Sequence, residues 1–461
     1  MSRLLPHDPA LPQLAQALDP QAMAQVFAAA LDGLQVQSCQ VDRVKYRPRR
    51  NCSVSYLLSL RDEQRGRGFE QRVSARFCTG GDSARRHLKA AGSGTVASAA
   101  GPALLHLGGL DMLAHWWPND AKLGALAVLH DDAVLRSHCL DEVVAALTGG
   151  RGALIDQRMT LAQYVPEHRA CARVELRLRR APGAPVTTQT LYAKADSERR
   201  GAHTHALMQA LYHSPAQAGG RLRTARPVLW QEAAGLHWQL ALPGRPLLDV
   251  DPQVGPAASV QVGEQLAALH ATPVPVARTT AETLRLQPRQ VAEMLGQVEP
   301  AWTPLLTRLV GRLEAGGGAL EREAAVTLHG DLHPRNILVD GERHAFIDLD
   351  SAYRGPAVIE LGAWVADALY RAVLGGVAPR QVAPSWRAFL AAHAHASGRA
   401  ADESLLAWST AHNLLCQRAY RCVANLKPGR FEAVPQLLAL ADSIASAGTA
   451  DAIETCAAEA A

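Results

Sequence analysis

The sequence predicts an α+β protein with a strand-rich N-terminal half and a mostly helical C-terminal half. Three observations support this prediction. Apolar residues alternate with polar ones in several early segments, helical periodicity dominates after Ser259, and one strand unit recurs after 118 residues. A chain of 461 residues is long enough for two or three domains.

Composition places the chain among globular proteins, because 48% of the residues are hydrophobic and 20% are charged. The net charge of +4 is too small to indicate a nucleic-acid partner. No apolar run is long enough for a membrane span, the N-terminus lacks the pattern of a signal peptide, and the eight cysteines show no C-x-x-C spacing. We therefore expect a cytoplasmic protein that binds neither nucleic acid nor membranes. The sequence makes no prediction of its oligomeric state.

The strand unit occupies 41–60 and recurs at 159–178. In both segments apolar residues alternate with serine or charged residues, which is the period of a half-buried strand. Aligned without a gap, Tyr46 of the first copy falls on Tyr164 of the second. The pattern predicts a duplicated strand unit.

These patterns divide the chain into three predicted regions. Residues 1–125 form an N-terminal accessory region that carries the degenerate copy of the strand unit. Residues 126–243 form a strand-rich lobe, and residues 244–461 form a helical lobe. A cleft between two such lobes is a common ligand site.

The strongest chemical signal is the segment 326–350, which reads VTLHGDLHPRNILVDGERHAFIDLD. It contains Asp331, Asn336 five residues later, an Asp-Gly turn at 340–341 and Asp348 after a second apolar strand. The turn predicts a hairpin whose paired strands bring Asn336 beside Asp348. An acid, an amide and a second acid are thus expected in one place.

Phosphoryl transfer needs such a set of side chains. Asp331 would accept the proton of an attacking hydroxyl, while Asn336 and Asp348 would hold Mg²⁺. No Walker A sequence is present, so a P-loop enzyme is excluded.

The sequence His-Gly-Asp-Leu-His-Pro-x-Asn followed by Ile-Asp-x-Asp resembles the aminoglycoside phosphotransferase and choline kinase family of small-molecule kinases. The resemblance extends over about 133–447, although Glu360 stands where the family more often has Asp. It implies a protein-kinase-like two-lobed fold, with 126–243 as the kinase N-lobe and 244–461 as the C-lobe that carries the catalytic and metal-binding loops. It also implies that His329 supports the catalytic loop.

The resemblance further implies that a strand lysine binds the nucleotide phosphates. Lys194 ends an apolar strand before a helix, and it is one of only five lysines among 47 basic residues. Its counterpart in the first copy is Arg76, so we expect no working nucleotide site there. The helix glutamate that usually pairs with this lysine is unassigned, because Glu198 is too near and His203 and His205 occupy the expected region.

Two segments around the predicted nucleotide site lack clear side-chain signals. Residues 166–170 replace the glycine-rich turn of protein kinases, and we interpret Arg169 as a solvated turn residue rather than a phosphate contact. Residues 236–247 look like the connection between the lobes, where the backbone of Leu240 and Leu242 would contact the adenine edge.

The activity implied is transfer of the γ-phosphoryl group of ATP, with Mg²⁺, to a hydroxyl of a sugar, amino sugar, aminoglycoside or amino alcohol. The extra N-terminal region is similar in layout to the maltose-phosphorylating kinases of the family. The alternative is a pseudokinase-type nucleotide-binding or scaffolding module without transfer activity. The missing glutamate and altered turn favour that alternative, whereas the intact Asp331, Asn336 and Asp348 oppose it.

Overall fold

The computed structural model describes residues 5–31, 33–63, 66–92 and 94–449. The outer ends of the predicted first and last regions, 1–4 and 450–461, lie outside the described residues. Within the described residues the α+β prediction is confirmed, because two five-stranded sheets precede a mostly helical part. None of the described helices is long and apolar enough to cross a membrane.

The first sheet has the strand order β1-β2-β3-β5-β4. Its strands are β1 (Leu34–Arg47), β2 (Asn51–Asp62), β3 (Arg67–Cys78), β4 (Leu104–Leu107) and β5 (Met112–Trp116). The accompanying helices are α1 (Leu14–Ala17), α2 (Pro20–Ala28) and α3 (Asp82–Ala91). Phe27 of α2 packs edge-on against the rings of Tyr56 and Trp116, which anchors this helix on the sheet.

The second sheet has the order β6-β7-β8-β10-β9. Its strands are β6 (Ala153–Val165), β7 (Arg169–Arg179), β8 (Val186–Asp196), β9 (Pro227–Gln231) and β10 (Leu236–Leu240). The helices of this part are α4 (Asp132–Leu135), α5 (Asp141–Thr148), α6 (Gly201–Tyr212) and α7 (Pro215–Ala218). Its core forms a cluster of its own around the buried Trp238.

The two sheets share their register as well as their order. Ser53 pairs with Arg76 in the first sheet, and 118 residues later Cys171 pairs with Lys194 in the second. The turns after β1 and β6 also match. Each has a residue with positive φ, Arg49 at 56° and Glu167 at 58°.

An aspartate fixes each of these turns in the same way. Its carboxylate accepts a hydrogen bond from the N–H of the positive-φ residue and another from a tyrosine hydroxyl; the pairs are Asp8 with Tyr46 and Asp120 with Tyr164. The repeat therefore extends from the strand pattern to the support of its turn.

The C-terminal part is mostly helical, as predicted. Its helices are α8 (Leu247–Val250), α9 (Pro256–His270), α10 (Ala281–Val298), α11 (Thr303–Gly316), α12 (Ala357–Leu374), α13 (Pro379–Ser397), α14 (Glu403–Asn413), α15 (Tyr420–Asn425) and α16 (Val434–Ala447). A π-helical segment, Leu414–Ala419, joins α14 to α15, so the helical winding changes between these two helices. Strand β1 of the first sheet packs against α15.

Short strands interrupt these helices at the chemically important segment. They are β11 (Arg245–Pro246), β12 (Ala325–Leu328), β13 (Ile337–Asp340), β14 (Arg343–Phe346) and β15 (Tyr353–Pro356). The expected hairpin is present, but its turn is Gly341-Glu342, because Asp340 already pairs with Arg343. Gly341 has φ 61°, a conformation that suits glycine.

Candidate active site

The hairpin β13–β14 brings together the two ends of the predicted site. Ile337 pairs with Phe346, and the Ile347 N–H donates to the Asn336 carbonyl at 3.0 Å, directly before Asp348. The Asn336 side-chain amide donates to the backbone carbonyl of Asp331 at 2.9 Å. These bonds join the loop of Asp331 to the strand end that carries Asp348.

The loop before Asp331 is held by a buried carboxylate. Glu360, in the first turn of α12, accepts the N–H groups of His329 and Gly330 at 3.0 and 2.9 Å. The fully buried His329 ring bonds the Ile347 carbonyl at 3.0 Å. Gly330 has φ 82°, and a Cβ there would overlap the Ser351 carbonyl, so the loop can close only around glycine.

Glu360 is charged despite its burial. Burial acts to raise the pKa of Glu360, but the hydrogen bond and charge of His270, 3.1 Å away, together with the loop N–H groups, hold it below its usual value. The other His270 nitrogen contacts His393 at 3.0 Å. The charge of Glu360 is thus available to fix the backbone of the loop.

Asp331 lies beside two cationic or titratable groups. The Arg421 guanidinium donates to its carboxylate at 3.0 Å, and His333 lies 3.7 Å away. Burial acts to raise the pKa of Asp331, but Arg421 and His333 outweigh it and hold the pKa below its ordinary value. The carboxylate is therefore ionised near neutral pH and able to accept a proton.

A hollow of about 70 Å³ opens beside Asp331. Its polar lining includes Gln287, Gln417, Arg418 and Arg421. This set can donate hydrogen bonds to hydroxyl oxygens next to the carboxylate.

A second group of charges lies between the sheet and the hairpin. The Lys194 ammonium contacts Asp348 at 2.9 Å and Asp350 at 3.0 Å. Arg169, at the start of β7, reaches Asp348 at 3.3 Å. Two cations from the second sheet therefore meet two carboxylates from the C-terminal part.

The two carboxylates differ in their acidity. Burial opposes both charges, but Lys194 and Arg169 lower the pKa of Asp348, while the pKa of Asp350 is raised by burial and by the neighbouring Asp348. Burial acts to lower the pKa of Lys194, yet the two carboxylates raise it above its usual value. Lys194 and Asp348 thus form a charged pair, and Asp350 is the more easily protonated of the two carboxylates.

These contacts answer one question that the sequence left open and correct one interpretation. Lys194 pairs with Asp348 and Asp350 rather than with a helix glutamate, and Glu198 instead pairs with Arg200 at 3.3 Å. Arg169 was expected to be a solvated turn residue, but it contacts Asp348. Arg169 is the first residue of β7 and therefore belongs to the sheet that carries Lys194.

His237 and His205 were given no role by the sequence, although they lie close to Lys194. His237 pairs with Lys194 across β10 and β8, and its ring contacts that of His205. Burial, with the charge of Lys194 added, lowers the pKa of His237 to about 3, so the ring is neutral. Among the described residues neither ring nitrogen of His237 has a hydrogen-bond partner.

The two residues predicted to contact adenine lie at the end of the second sheet. Leu240 pairs with Leu191 of the strand that carries Lys194, and its N–H donates to the Arg226 carbonyl at 2.9 Å. Because this N–H is already hydrogen-bonded within the protein, the Leu240 carbonyl is the backbone group of this residue that could contact an adenine base. Leu242 follows in the segment that connects β10 to β11.

The donor set suits a hard cation. Asn336, Asp348 and Asp350 offer oxygen atoms, and Mg²⁺ is commonly held by one or two carboxylates together with substrate phosphates. Within the described residues no group of three or more His, Cys, Asp or Glu side chains is arranged to hold a metal by itself. The residues therefore fit a Mg²⁺ ion that arrives with a phosphate ligand.

The sequence alone indicated no role for Arg421, Arg418 or Glu360. Arg421 lies 90 residues after Asp331, and no local pattern marks it. Glu360 carried a weak signal, because it stands at the family's acidic position after the second strand.

One known protein family matches more than half of the chain. A family model described as the phosphotransferase enzyme family matches residues 172–408, which are 237 of the 461 residues. No curated protein matches the chain.

Several solved structures are similar to the chain. Aminoglycoside phosphotransferase APH(4)-Ia is 15% identical, with 67% of this chain and 98% of that chain covered and a TM-score of 0.44. An aminoglycoside phosphotransferase from Alicyclobacillus acidocaldarius is 15% identical over 66% and 93%, with a TM-score of 0.40. A choline/ethanolamine kinase family protein from Mesorhizobium loti is 14% identical over 65% and 92%, with a TM-score of 0.43. Since the family model spans more than half of the chain, this protein belongs to the phosphotransferase enzyme family.

Proposed function

We propose that the protein transfers the γ-phosphoryl group of ATP, in the presence of Mg²⁺, to a hydroxyl group of a small molecule. The observation that carries the proposal is the contact of Lys194 with Asp348, on the same hairpin end that is tied through Asn336 to the loop of Asp331. It supports a phosphate-binding cation and a proton acceptor facing one cleft.

Asp331 is the proposed general base. The acceptor hydroxyl oxygen forms a bond to the γ-phosphorus, the bond from that phosphorus to the β–γ bridging oxygen breaks, and the hydroxyl proton passes to the Asp331 carboxylate. Arg421 keeps this carboxylate ionised before the proton arrives. Glu360 holds the loop backbone, so the carboxylate keeps its position during the transfer.

Lys194 and Arg169 are the proposed phosphate contacts from the second sheet. Their present carboxylate partners, Asp348 and Asp350, would turn toward Mg²⁺ together with the Asn336 side chain when a nucleotide is bound. The ion would neutralise charge on the phosphates, as in other phosphoryl transferases. The carbonyl of Leu240 and the backbone of Leu242 are proposed to contact the adenine base.

The proposed acceptor is neutral rather than cationic. In the hollow beside Asp331, as far as the described residues show, the acidic lining consists of Asp331 and Glu360, and each is already paired with a basic side chain. An ammonium group would meet Arg418 and Arg421 there and would lack an open carboxylate. This charge balance favours a sugar-like hydroxyl over an aminoglycoside or an amino alcohol.

A screen of ADP release against small-molecule acceptors tests the proposal. We expect release that depends on a neutral polyhydroxylated acceptor, and a reduction of kcat by about 10²–10⁴-fold in Asp331→Asn. Asp249→Asn, an exposed acid on α8, is the matched control and keeps the parental rate. Mg-ATP binding without release for any acceptor would instead support the scaffolding alternative.

A further inference from the structure

A large cavity lies in the C-terminal part, away from the cleft just described. It has a volume of about 1060 Å³ and lies between α9, β14 and α13. We call it the α9 cavity; its polar lining includes Arg223, Gln265, His270, His344 and His393. Among the described residues, none lines both this cavity and either of the hollows at Lys194 and Asp331.

Several buried polar atoms in this lining have no partner among the described residues. His344 is only 7% exposed, and neither of its ring nitrogens is hydrogen-bonded. The Gln265 amide donates to the His344 carbonyl at 2.9 Å, but its Oε1 atom has no donor. One terminal nitrogen of Arg223 is likewise unmatched, while the other contacts Asp340.

Native proteins rarely leave buried polar groups without partners, and such groups commonly mark the position of a ligand or ordered water. Burial lowers the pKa of His344, so its ring is neutral and offers one donor and one acceptor. Gln265 adds an acceptor and Arg223 adds a donor. The unpartnered atoms of these three side chains therefore suit a molecule that both donates and accepts hydrogen bonds, as hydroxyl groups do.

The charge of the lining points to a neutral ligand. Four arginines and four acidic side chains line the cavity, so their formal charges cancel. Arg399 and Glu323, two of these residues, already form an ion pair at 2.8 Å. The volume of the α9 cavity lies at the upper end of the range for small-molecule sites.

We propose that the α9 cavity is a second binding site, separate from the nucleotide cleft, for a neutral polyhydroxylated molecule of mono- or disaccharide size. His344, Gln265 and Arg223 supply its specific hydrogen bonds. Because Asp331 does not line the cavity, the molecule bound there is not positioned as the phosphoryl acceptor.

Saturation-transfer NMR on the full chain, with glucose, maltose and myo-inositol as probes, tests this site. We expect a transfer signal for at least one probe with the parent, and a reduction of at least fivefold with His344→Leu. Leucine is apolar and close to histidine in size, so this variant should fold with an unchanged or higher Tm. His395→Leu, an exposed position on α13 outside the lining, should keep the parental signal.

Two results would overturn the proposal and indicate a cavity that holds only water. One is the absence of a signal for every probe with the parent, and the other is retention of the full signal in His344→Leu. Gln265→Met takes the place of His344→Leu if that variant does not fold. The KM for the phosphoryl acceptor is measured in the same variants. A loss of signal with an unchanged KM supports a separate site, whereas a parallel rise in KM would assign the bound probe to the acceptor hollow. Absence of ADP release would affect only the function proposed above.

Discussion

The two five-stranded sheets have the same strand order and register, but the basic residues at their matching positions contact different carboxylates. At equivalent positions the second sheet has Lys194 and the first has Arg76. Lys194 contacts Asp348 and Asp350, whereas Arg76 contacts Glu167 at 2.5 Å. A repeated scaffold can therefore carry two different tasks when single side chains and their partners differ.

The task of Arg76 follows from where its partner lies. Glu167 is in the turn between β6 and β7, two residues before Arg169 of the candidate site. The side chains of Arg76 and Glu167 are only 16% and 15% exposed, so the pair is well shielded. The first sheet thus anchors, by an ion pair, the turn that replaces a glycine-rich loop.

The first sheet also reaches the helical part. Its strand β1 packs against α15, which carries Arg421, the partner of Asp331. One sheet therefore contacts both the proposed phosphate side and the proposed acceptor side of the candidate site. We infer from this arrangement a positioning role for the N-terminal region, which would not require a nucleotide of its own.

The largest expected difference between the sheets is in catalysis. Lys194→Met should lower kcat/KM for ADP release by about 10²–10³-fold, because it removes a fixed charge from the proposed phosphate site. Arg76→Met, the same change at the matching position, should lower it by less than about tenfold, since it acts only through the turn. Steady-state ADP release measures both variants.

Equal losses in these two variants would contradict the comparison. Lys194→Arg supplies a further control, because a planar guanidinium does not reproduce the point charge of an ammonium. It should remain impaired, while Arg76→Lys should behave like the parent.

A smaller effect is expected for Arg421 on α15, the helix that the first sheet contacts, and it concerns the pH profile of kcat/KM. Arg421 lowers the pKa of Asp331, so Arg421→Gln should raise that pKa. The proposed base is then protonated at higher pH, and the acid limb of kcat/KM moves to higher pH. Profiles of kcat/KM against pH measure the shift, and Arg421→Lys should restore most of it. An unmoved limb in Arg421→Gln would separate Asp331 from the observed ionisation.

The smallest effect concerns the turn itself. Glu167→Gln removes the charge that Arg76 binds, and should raise the nucleotide KM a few-fold and lower the free energy of unfolding by roughly 1.5–3 kcal/mol. The KM difference should change little with salt, because a shielded ion pair is screened much less than an exposed one. Steady-state kinetics and denaturant unfolding measure the two quantities.

Glu175→Gln is the matched control for this change. Glu175 pairs with Arg173 on β7, but both side chains are more than a third exposed. Its loss should change the unfolding free energy by no more than about 0.5 kcal/mol. A turn variant no worse than this control would remove the positioning role of the first sheet.

The sequence predicted those features that depend on near neighbours in the chain. The hairpin that links Asn336 and Asp348 was predictable, because a two-residue turn and short apolar strands determine its pairing. The repeat was predictable too, since a strand exposes its period in the order of its residues. Even there the turn lies one residue later than expected, since the strand pairing and not the Asp-Gly pair sets it.

By itself, then, the sequence determined the fold class, the family motif and the residue types of the candidate site. Only the tertiary structure decided which charged side chains form ion pairs. Lys194 pairs with Asp350, 156 residues away in the sequence, and Arg76 pairs with Glu167, 91 residues away. The physical reason is range. Turn and strand preferences act over a few residues, whereas ion pairing depends on distances that exist only once separate elements have packed.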